Sequence, residues 1–361
     1  MKIGILTYHR SHNYGALLQA IALREVLVRQ GHQVTFIDYW PAYHRHMNAL
    51  FSFPWMMSRG GLKGKLNYLR ECIKNYCSRK TRKSNFETFI SDYIEPYTTS
   101  MNESYDIIVH GSDQIWRKQP EINKYNPVYF GQHEINARRR ISYAASMGIL
   151  PKKESDKRVL KELLSHLDAI SVRESGLKNL VEELGYAKVN HDLDPTLLLP
   201  ENFWVKTFGL KNSNERYAVY YMLNHSFELN EIRSYINAKG LKLIVIRKPT
   251  LLNVNEQETT LPPEKFLQLF YGAKMIFTSS FHGLAFSLIF HKQFYASFAR
   301  TDRALSLLSL VGLEDRLVSP HSKLPNDDNV IDFNKIEKKI QNIRDKSLNH
   351  LKVMCASDAN F

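Results

Sequence analysis

The sequence predicts an α/β protein of two Rossmann-like domains facing each other across a cleft, with a C-terminal helix. Three observations carry that expectation. A chain of 361 residues has the length of two domains at roughly 150 residues each. Short, β-compatible apolar runs alternate with helical-period segments from the start of the chain, and the alternation restarts beyond Pro200. Polar and charged residues gather just after the C-terminal ends of those runs, where open α/β sheets place their ligand sites.

Lys2 to Thr7 reads as a strand, Tyr8 to Asn13 as a polar loop, and Gly15 to Gln30 as a helix. Leu17, Leu18, Ile21 and Val28 fall on one side of that helix, and Gly31 stands where a C-cap glycine belongs. Gln33 to Asp38 closes this β-α-β unit. Tyr105 to His110, Arg140 to Ala145 and Ala169 to Arg173 read as further strands, and Ser175 to Leu184 as a helix stopped by Gly185. Beyond Pro200 come strand Tyr217 to Leu223, helix Leu229 to Ala238 and strand Leu241 to Arg247. Helix Pro263 to Tyr271, strand Lys274 to Thr278, helix Gly283 to Phe290 and strand Gln293 to Phe298 follow. Asp332 to Met354 carries Ile336, Ile340, Ile343 and Leu351 on a helical stripe. The expected domains are 1–199 and 200–330, with a terminal helix over 331–361.

One segment, 43–100, departs from this rhythm and is expected as an insertion in the first domain. Phe51 to Met57 is aromatic and apolar, and Arg59 to Lys83 holds nine Lys or Arg against the single acid Glu71. An apolar wedge beside a basic stripe suits an anionic membrane surface, each cation contributing about 1 kcal/mol. The alternative is a helical insertion packed on its own domain with a solvated basic face.

Composition excludes other classes. Hydrophobic residues at 43% are enough for sizeable cores and rule out disorder. The opening residues are too short an apolar stretch for a secretory signal. Met275 to Phe290 is interrupted by Thr278, Ser279, Ser280 and His282 and so is not a spanning helix. A cytoplasmic protein is expected, peripheral on the inner face of the plasma membrane. Three cysteines, Cys72, Cys77 and Cys355, match no disulfide framework or common zinc spacing. The net charge of +13 favours an anionic partner. Nucleic acid is not expected, because no helix-turn-helix, zinc or RNA-recognition signature is present.

Several junctions could carry chemistry. His9 to Gly15, containing Asn13, Tyr14 and Gly15, lies between the first strand and helix, where backbone N–H groups and the helix dipole favour an anion. It lacks G-x-G-x-x-G, so no dinucleotide cofactor is indicated; the alternative is a polar turn with a helix cap. At Ser279-Ser280-Phe281-His282-Gly283 either serine could cap a helix and leave His282 in its first turn, able to bind a phosphate or move a proton. Arg173 beside Glu174 suits a bidentate grip on an anion, or a plain ion pair. Asp113 and Asp194 are carboxylates at strand ends that could act as bases or cap helices. Arg300, Asp302 and Arg303 form a charged loop after the last predicted strand.

The ordered set is more specific than its parts. His12 to Gly15, Gly111 to Trp116, Ser142 to Gly148, Ser171 to Glu174, Asp194 to Leu198 and Ser280 to Gly283 together resemble the polysaccharide pyruvyl transferase family. The motifs run in order from about residue 3 to residue 317. The resemblance implies a GT-B-like fold and transfer of a pyruvyl group from phosphoenolpyruvate to a hexose, with galactose expected. The product would be a cyclic ketal bridging two hydroxyls of a capsular or exopolysaccharide or its lipid-linked oligosaccharide precursor. Better-known members carry Arg-Leu-His-Gly at the last motif; here Ser280 and Phe281 stand in place of that Arg-Leu, while His282 carries over. Arg173 carries over as a donor-anion contact, with Arg247, Arg300 and Arg303 the candidates to replace the missing arginine.

The implied chemistry needs protonation of the methylene carbon, attack by two hydroxyls and departure of phosphate. It therefore asks for an acid/base group and cations on carboxylate and phosphate. His282 is expected as the acid/base or leaving-group contact and Asp113 as the residue that binds or deprotonates the acceptor. Ser146, Ser279, Ser280, Asn13, Tyr14 and Gly15 are expected to bind substrate. No metal and no cofactor are expected, phosphoenolpyruvate being a substrate. The alternative reading is a GT-B glycosyltransferase using a nucleotide sugar.

Overall fold

A computed structural model describes residues 1–119, 123–223, 227–247, 257–258, 261–299, 302–325 and 329–356, without the side chains of residues 247, 257 and 258. The chain opens with β1 (Lys2–Leu6), α1 (Tyr14–Arg29) and β2 (Gln33–Ile37), then α2 (Ala42–Asn48), α3 (Phe53–Met57), α4 (Gly61–Lys74) and α5 (Tyr76–Tyr93). There follow β3 (Thr98–Thr99), β4 (Tyr105–His110), β5 (Ala137–Ser142), α6 (Glu154–Leu164), β6 (Ile170–Val172), α7 (Ser175–Glu183), β7 (Val189–His191) and α8 (Pro195–Leu198). The remainder is α9 (Glu201–Phe208), β8 (Tyr217–Met222), α10 (Leu229–Asn237), β9 (Lys242–Arg247), β10 (Gln257–Glu258), α11 (Pro263–Gly272), β11 (Met275–Thr278), α12 (Phe281–Ile289), β12 (Gln293–Ala296), α13 (Asp302–Val311) and α14 (Phe333–Cys355). No described helix is long and apolar enough to cross a membrane.

The chain divides into two compact units. One comprises Met1–Trp40, Ile90–Leu199 and Lys335–Phe361; the other comprises Pro41–Phe89 and Pro200–Asn334. The first holds a five-stranded sheet of order β3-β2-β1-β4-β5, every pair parallel. The second holds β10-β9-β8-β11-β12, again all parallel. Counted within each unit, both read 3-2-1-4-5, the order of a Rossmann sheet without its sixth strand, in which the switch point lies between the first and fourth strands. Two such α/β halves are what the sequence predicts and what a GT-B-like fold contains. Near-continuous apolar runs such as Ile107 to Val109 and Ala218 to Tyr221 are buried, as parallel strands covered on both faces require.

The partition differs from the sequence-based one in two places. Of the segment expected as an insertion of the first domain, residues 43–89 are grouped with the second unit, where Phe89 stacks on Phe208 of α9 at 6.0 Å, while residues 90–100 stay with the first. The terminal helix belongs to the first unit. There Arg344 Nε donates to Leu197 O at 2.8 Å, Ser347 Oγ accepts from Leu193 N at 3.1 Å, and His350 Nδ1 lies 2.8 Å from Asp192 Oδ1.

Element bounds shift where polar residues mask the pattern. The strand predicted over Arg140–Ala145 is β5, Ala137–Ser142, because its register pairs Tyr105 with Ala137 and His110 with Ser142. Three consecutive arginines hide that strand from an apolar pattern. The charged loop predicted at Asp302 and Arg303 is instead the first turn of α13. Helix α6 and strand β7 have no counterpart among the elements that the sequence predicts.

His110, at the end of β4, is buried, and its Nδ1 donates to Ile141 O at 3.1 Å. That bond fixes the tautomer, so its Nε2 accepts from His133 Nε2, 3.1 Å away. Burial, then the neighbouring His133, pushes the His110 pKa down to about 3, and burial takes His133 to about 4. Both histidines are neutral when folded and bind protons near 6.5 when unfolded, so acid favours the unfolded chain. The contribution of this pair to stability is full above about pH 6.5 and is lost as the pH falls toward 4 and then 3, at about 1.4 kcal/mol per pH unit for the fully buried ring. The double variant His110→Asn with His133→Asn should show a shallower loss of Tm over that window than the wild type.

Candidate active site

In the first unit the switch point lies between the ends of β1 and β4. Beyond β4 the chain turns at Gly111, whose φ of +136° suits glycine and where a Cβ would meet Tyr143 O at 2.2 Å. No larger residue fits there. Asp113 follows at a φ of +68°, a left-handed conformation that Asp tolerates better than most residues. Gln19, buried on α1, ties the two strand ends together. Its Nε2 donates to Thr7 Oγ1 at 2.8 Å, and its Oε1 accepts from Ser112 N at 3.1 Å. Sequence reasoning missed Gln19; the available signal was one amide in an otherwise apolar stretch of helix.

Arg173, at the end of β6, is the hub of this unit's charges. Its guanidinium pairs with Asp194 through Nη1, lies 3.6 Å from Glu174 Oε1 through Nε, and 3.8 Å from Asp113 Oδ1 through Nη2. Burial alone would lower its pKa, but Asp194, Glu174 and Asp113 outweigh that and raise it. Asp194 also caps α8, accepting from Thr196 N at 3.0 Å and Thr196 Oγ1 at 2.7 Å. Ser146 Oγ donates to Glu174 Oε1 at 2.5 Å. Arg173 was expected to grip a donor anion. It is buried, at 4% exposure, with three carboxylates within 4 Å of its guanidinium. In the structure that guanidinium lies among Asp194, Glu174 and Asp113. Likewise Ser146 is turned onto Glu174, and of the four charged groups Asp113 retains the most side-chain exposure, 12%.

The loop before α1 is part cap, part anchor. Asn13, extended at φ −134°, accepts from Ala16 N at 3.2 Å and so caps the helix, while Tyr14 and Gly15 are buried in its first turn. The preceding Arg10 bonds Asp38 at 2.7 Å and Glu95 at 3.1 Å. His9, then Arg10, holds the Asp38 carboxyl well below the usual carboxylate range.

In the second unit the equivalent junction runs from β11 into α12. Ser280, extended at φ −118°, is the N-cap and accepts from Gly283 N at 3.4 Å. Ser279 Oγ accepts from Leu223 N at 2.9 Å, fastening the end of β8 to the end of β11. Thr278 Oγ1 accepts from Ser280 N at 3.0 Å. Gly283 is required because a Cβ would meet Thr278 Oγ1 at 2.1 Å. His282 therefore sits in the first turn of α12, 7% exposed, where the helix dipole favours negative charge.

The structure thus brings Arg173, Asp113 and Ser146 together in the first unit, and Ser279, Ser280 and His282 together in the second. Arg247 ends β9, paired in register with Met222, and its side chain lies outside the described residues, as does all of Arg300. Arg303 is half-buried in the first turn of α13. At the N-terminal edge of the second sheet, away from these strand ends, a cavity of about 620 Å³ is lined by Arg216, Lys239, Lys274 and Arg316 among others. No predicted site residue lines it.

The sequence model of one family, polysaccharide pyruvyl transferase, matches residues 13–300. No curated protein matches the chain significantly. Among solved structures it is similar to the UDP-GlcNAc 2-epimerase of Methanocaldococcus jannaschii, at 12% identity and a TM-score of 0.47, covering 97% of this chain and 94% of that one. It is also similar to a sucrose-phosphate synthase of Thermosynechococcus elongatus, at 12% identity and 0.44, covering 97% of each. Heptosyltransferase WaaC of E. coli gives 11% and 0.40, covering 95% and 99%. These likenesses are distant, and nothing about function follows from them.

Proposed function

This chain belongs to the polysaccharide pyruvyl transferase family, and we propose that it moves the pyruvyl group of phosphoenolpyruvate onto a hexose as a cyclic ketal, releasing phosphate. The match over residues 13–300 carries the reading, and the placement of His282 at the dipole-positive end of α12 supports it. The acceptor is a galactose of a lipid-linked oligosaccharide on the way to a surface polysaccharide. The enzyme works in the cytoplasm, where phosphoenolpyruvate is made, at the inner face of the plasma membrane.

The second unit takes the donor. His282 donates a proton to the methylene carbon, making it the methyl of the product and leaving positive charge at the central carbon. A first hydroxyl of the acceptor forms a C–O bond there and loses its proton. The C–O bond to phosphate then breaks, phosphate departs with its electron pair, and a second hydroxyl closes the ketal. The two protons lost from the hydroxyls balance the one taken by carbon and the one that leaves with phosphate. Backbone N–H groups of the first turn of α12 and the hydroxyls of Ser279 and Ser280 stabilise the phosphate. Arg247, Arg300 and Arg303 supply the cations that the Ser280 position lacks.

The first unit takes the acceptor. Asp113, held by Arg173, binds a sugar hydroxyl and accepts its proton. Asp113→Asn should lower acceptor-dependent turnover about 100-fold. Its Tm should stay within a few degrees of wild type, since Arg173 keeps Asp194 and Glu174. Equal loss of folding and activity would contradict a direct role. A melting experiment separates donors: phosphoenolpyruvate should raise the Tm and a nucleotide sugar should not.

A further inference from the structure

The geometry points to a function for the basic segment that goes beyond catalysis: we propose that α4, with the end of α3, docks the protein in the interface of an anionic lipid bilayer. The docking rests on that segment's own residues and is independent of which donor the enzyme uses.

Leu62, Leu66, Leu69 and Ile73 follow one another at i, i+4, i+7 and i+11 on α4. At about 100° per residue they fall within roughly one sixth of the helix circumference. Leu62 is 74% exposed, Ile73 77% and Leu66 46%. This stripe is not the face that packs. The packing face carries Tyr68 and Cys72, both buried. The Tyr68 hydroxyl accepts from Ser52 N at 2.9 Å, and Arg79 of α5 donates to Cys72 Sγ at 3.1 Å and Ala49 O at 3.0 Å. The helix is fixed by one side and presents a second apolar side outward. Phe53 and Met57 of α3 are exposed as well. A single exposed leucine is ordinary, but an aligned set marks an interaction face.

The charges decide what covers it. On the helical wheel Lys63, Arg70 and Lys74 flank the stripe on one side and Lys65 on the other, while Glu71 lies opposite. Cations on both rims of an apolar stripe place long side chains where they snorkel to headgroups as the apolar residues enter the acyl boundary. The basic excess continues onto α5 through Lys80 and Arg82, which adds to the attraction of an anionic surface.

The test is co-sedimentation of the full chain with vesicles of phosphatidylcholine alone or mixed equally with phosphatidylglycerol. Wild type should partition at least about ten-fold more strongly onto the anionic vesicles. Lys63→Glu with Arg70→Glu and Lys74→Glu should remove that preference. Leu62→Ser with Leu66→Ser and Ile73→Ser, all at exposed positions, should abolish retention in high salt while leaving the Tm unchanged. Equal sedimentation with both lipids, or indifference to both variants, overturns the proposal. So does a wild-type dimer that binds no vesicles and is dissociated by the serine variant, which would assign the stripe to a second copy of the chain.

Discussion

Replacing His282 with alanine is expected to lower acceptor-dependent phosphate release from phosphoenolpyruvate by about 10²–10⁴-fold, the usual contribution of a positioned acid/base. The fold should survive the change. Ser280 still caps α12, Gly283 still clears Thr278, and the bond from Leu223 N to Ser279 Oγ does not involve the ring. Removal of a mostly buried ring should cost stability modestly, read as a Tm drop of a few degrees. The phosphoenolpyruvate-induced rise in Tm should shrink if the ring also touches the leaving phosphate. A variant with normal turnover would remove His282 from the chemistry.

The second large effect is structural. Arg173→Met should destabilise the protein by about 3–5 kcal/mol, because it strands buried carboxylates without their cation. For units of this size that is a Tm loss of about 10 °C or more. The outcome distinguishes two roles for the same residue. An arginine that grips substrate leaves a hole for water when lost, raising the KM for phosphoenolpyruvate at nearly unchanged Tm. An arginine that holds Asp194, Glu174 and Asp113 together takes stability with it. The ion pairs around Arg173 predict the second result. Adding Asp194→Asn and Glu174→Gln should recover part of the loss, since fewer charges are then left buried.

The strand–helix rhythm of both sheets was legible because parallel strands buried on both faces are written as short apolar runs, from Ile3 to Leu6 and from Met275 to Phe277. The N-terminal junction of α12 was legible too: Ser280 three residues before Gly283 is a capping pattern, and the structure shows that cap. The β5 strand was misplaced because Arg138, Arg139 and Arg140 interrupt any apolar pattern, and only pairing with β4 reveals it. The role of Arg173 was hidden for a different reason. Its partners Asp113 and Asp194 are sixty and twenty-one positions away, and a motif shows an arginine without showing which carboxylates surround it. Gln19 was hidden likewise, since its partners Thr7 and Ser112 meet only where β1 and β4 lie side by side. The segment 43–100 showed charge and hydrophobicity but not which face packs; Tyr68 and Cys72 settle that on α4.

Every role proposed for the second unit depends on phosphoenolpyruvate being the donor. The decisive measurement is phosphate release from phosphoenolpyruvate by the wild-type protein, with and without a lipid-linked galactoside, followed by NMR of the sugar product. Acceptor-dependent release should appear, matched by a new ketal methyl signal. A Tm raised by a nucleotide sugar and unmoved by phosphoenolpyruvate, with glycosyl transfer to the same acceptor and no ketal, would refute that donor.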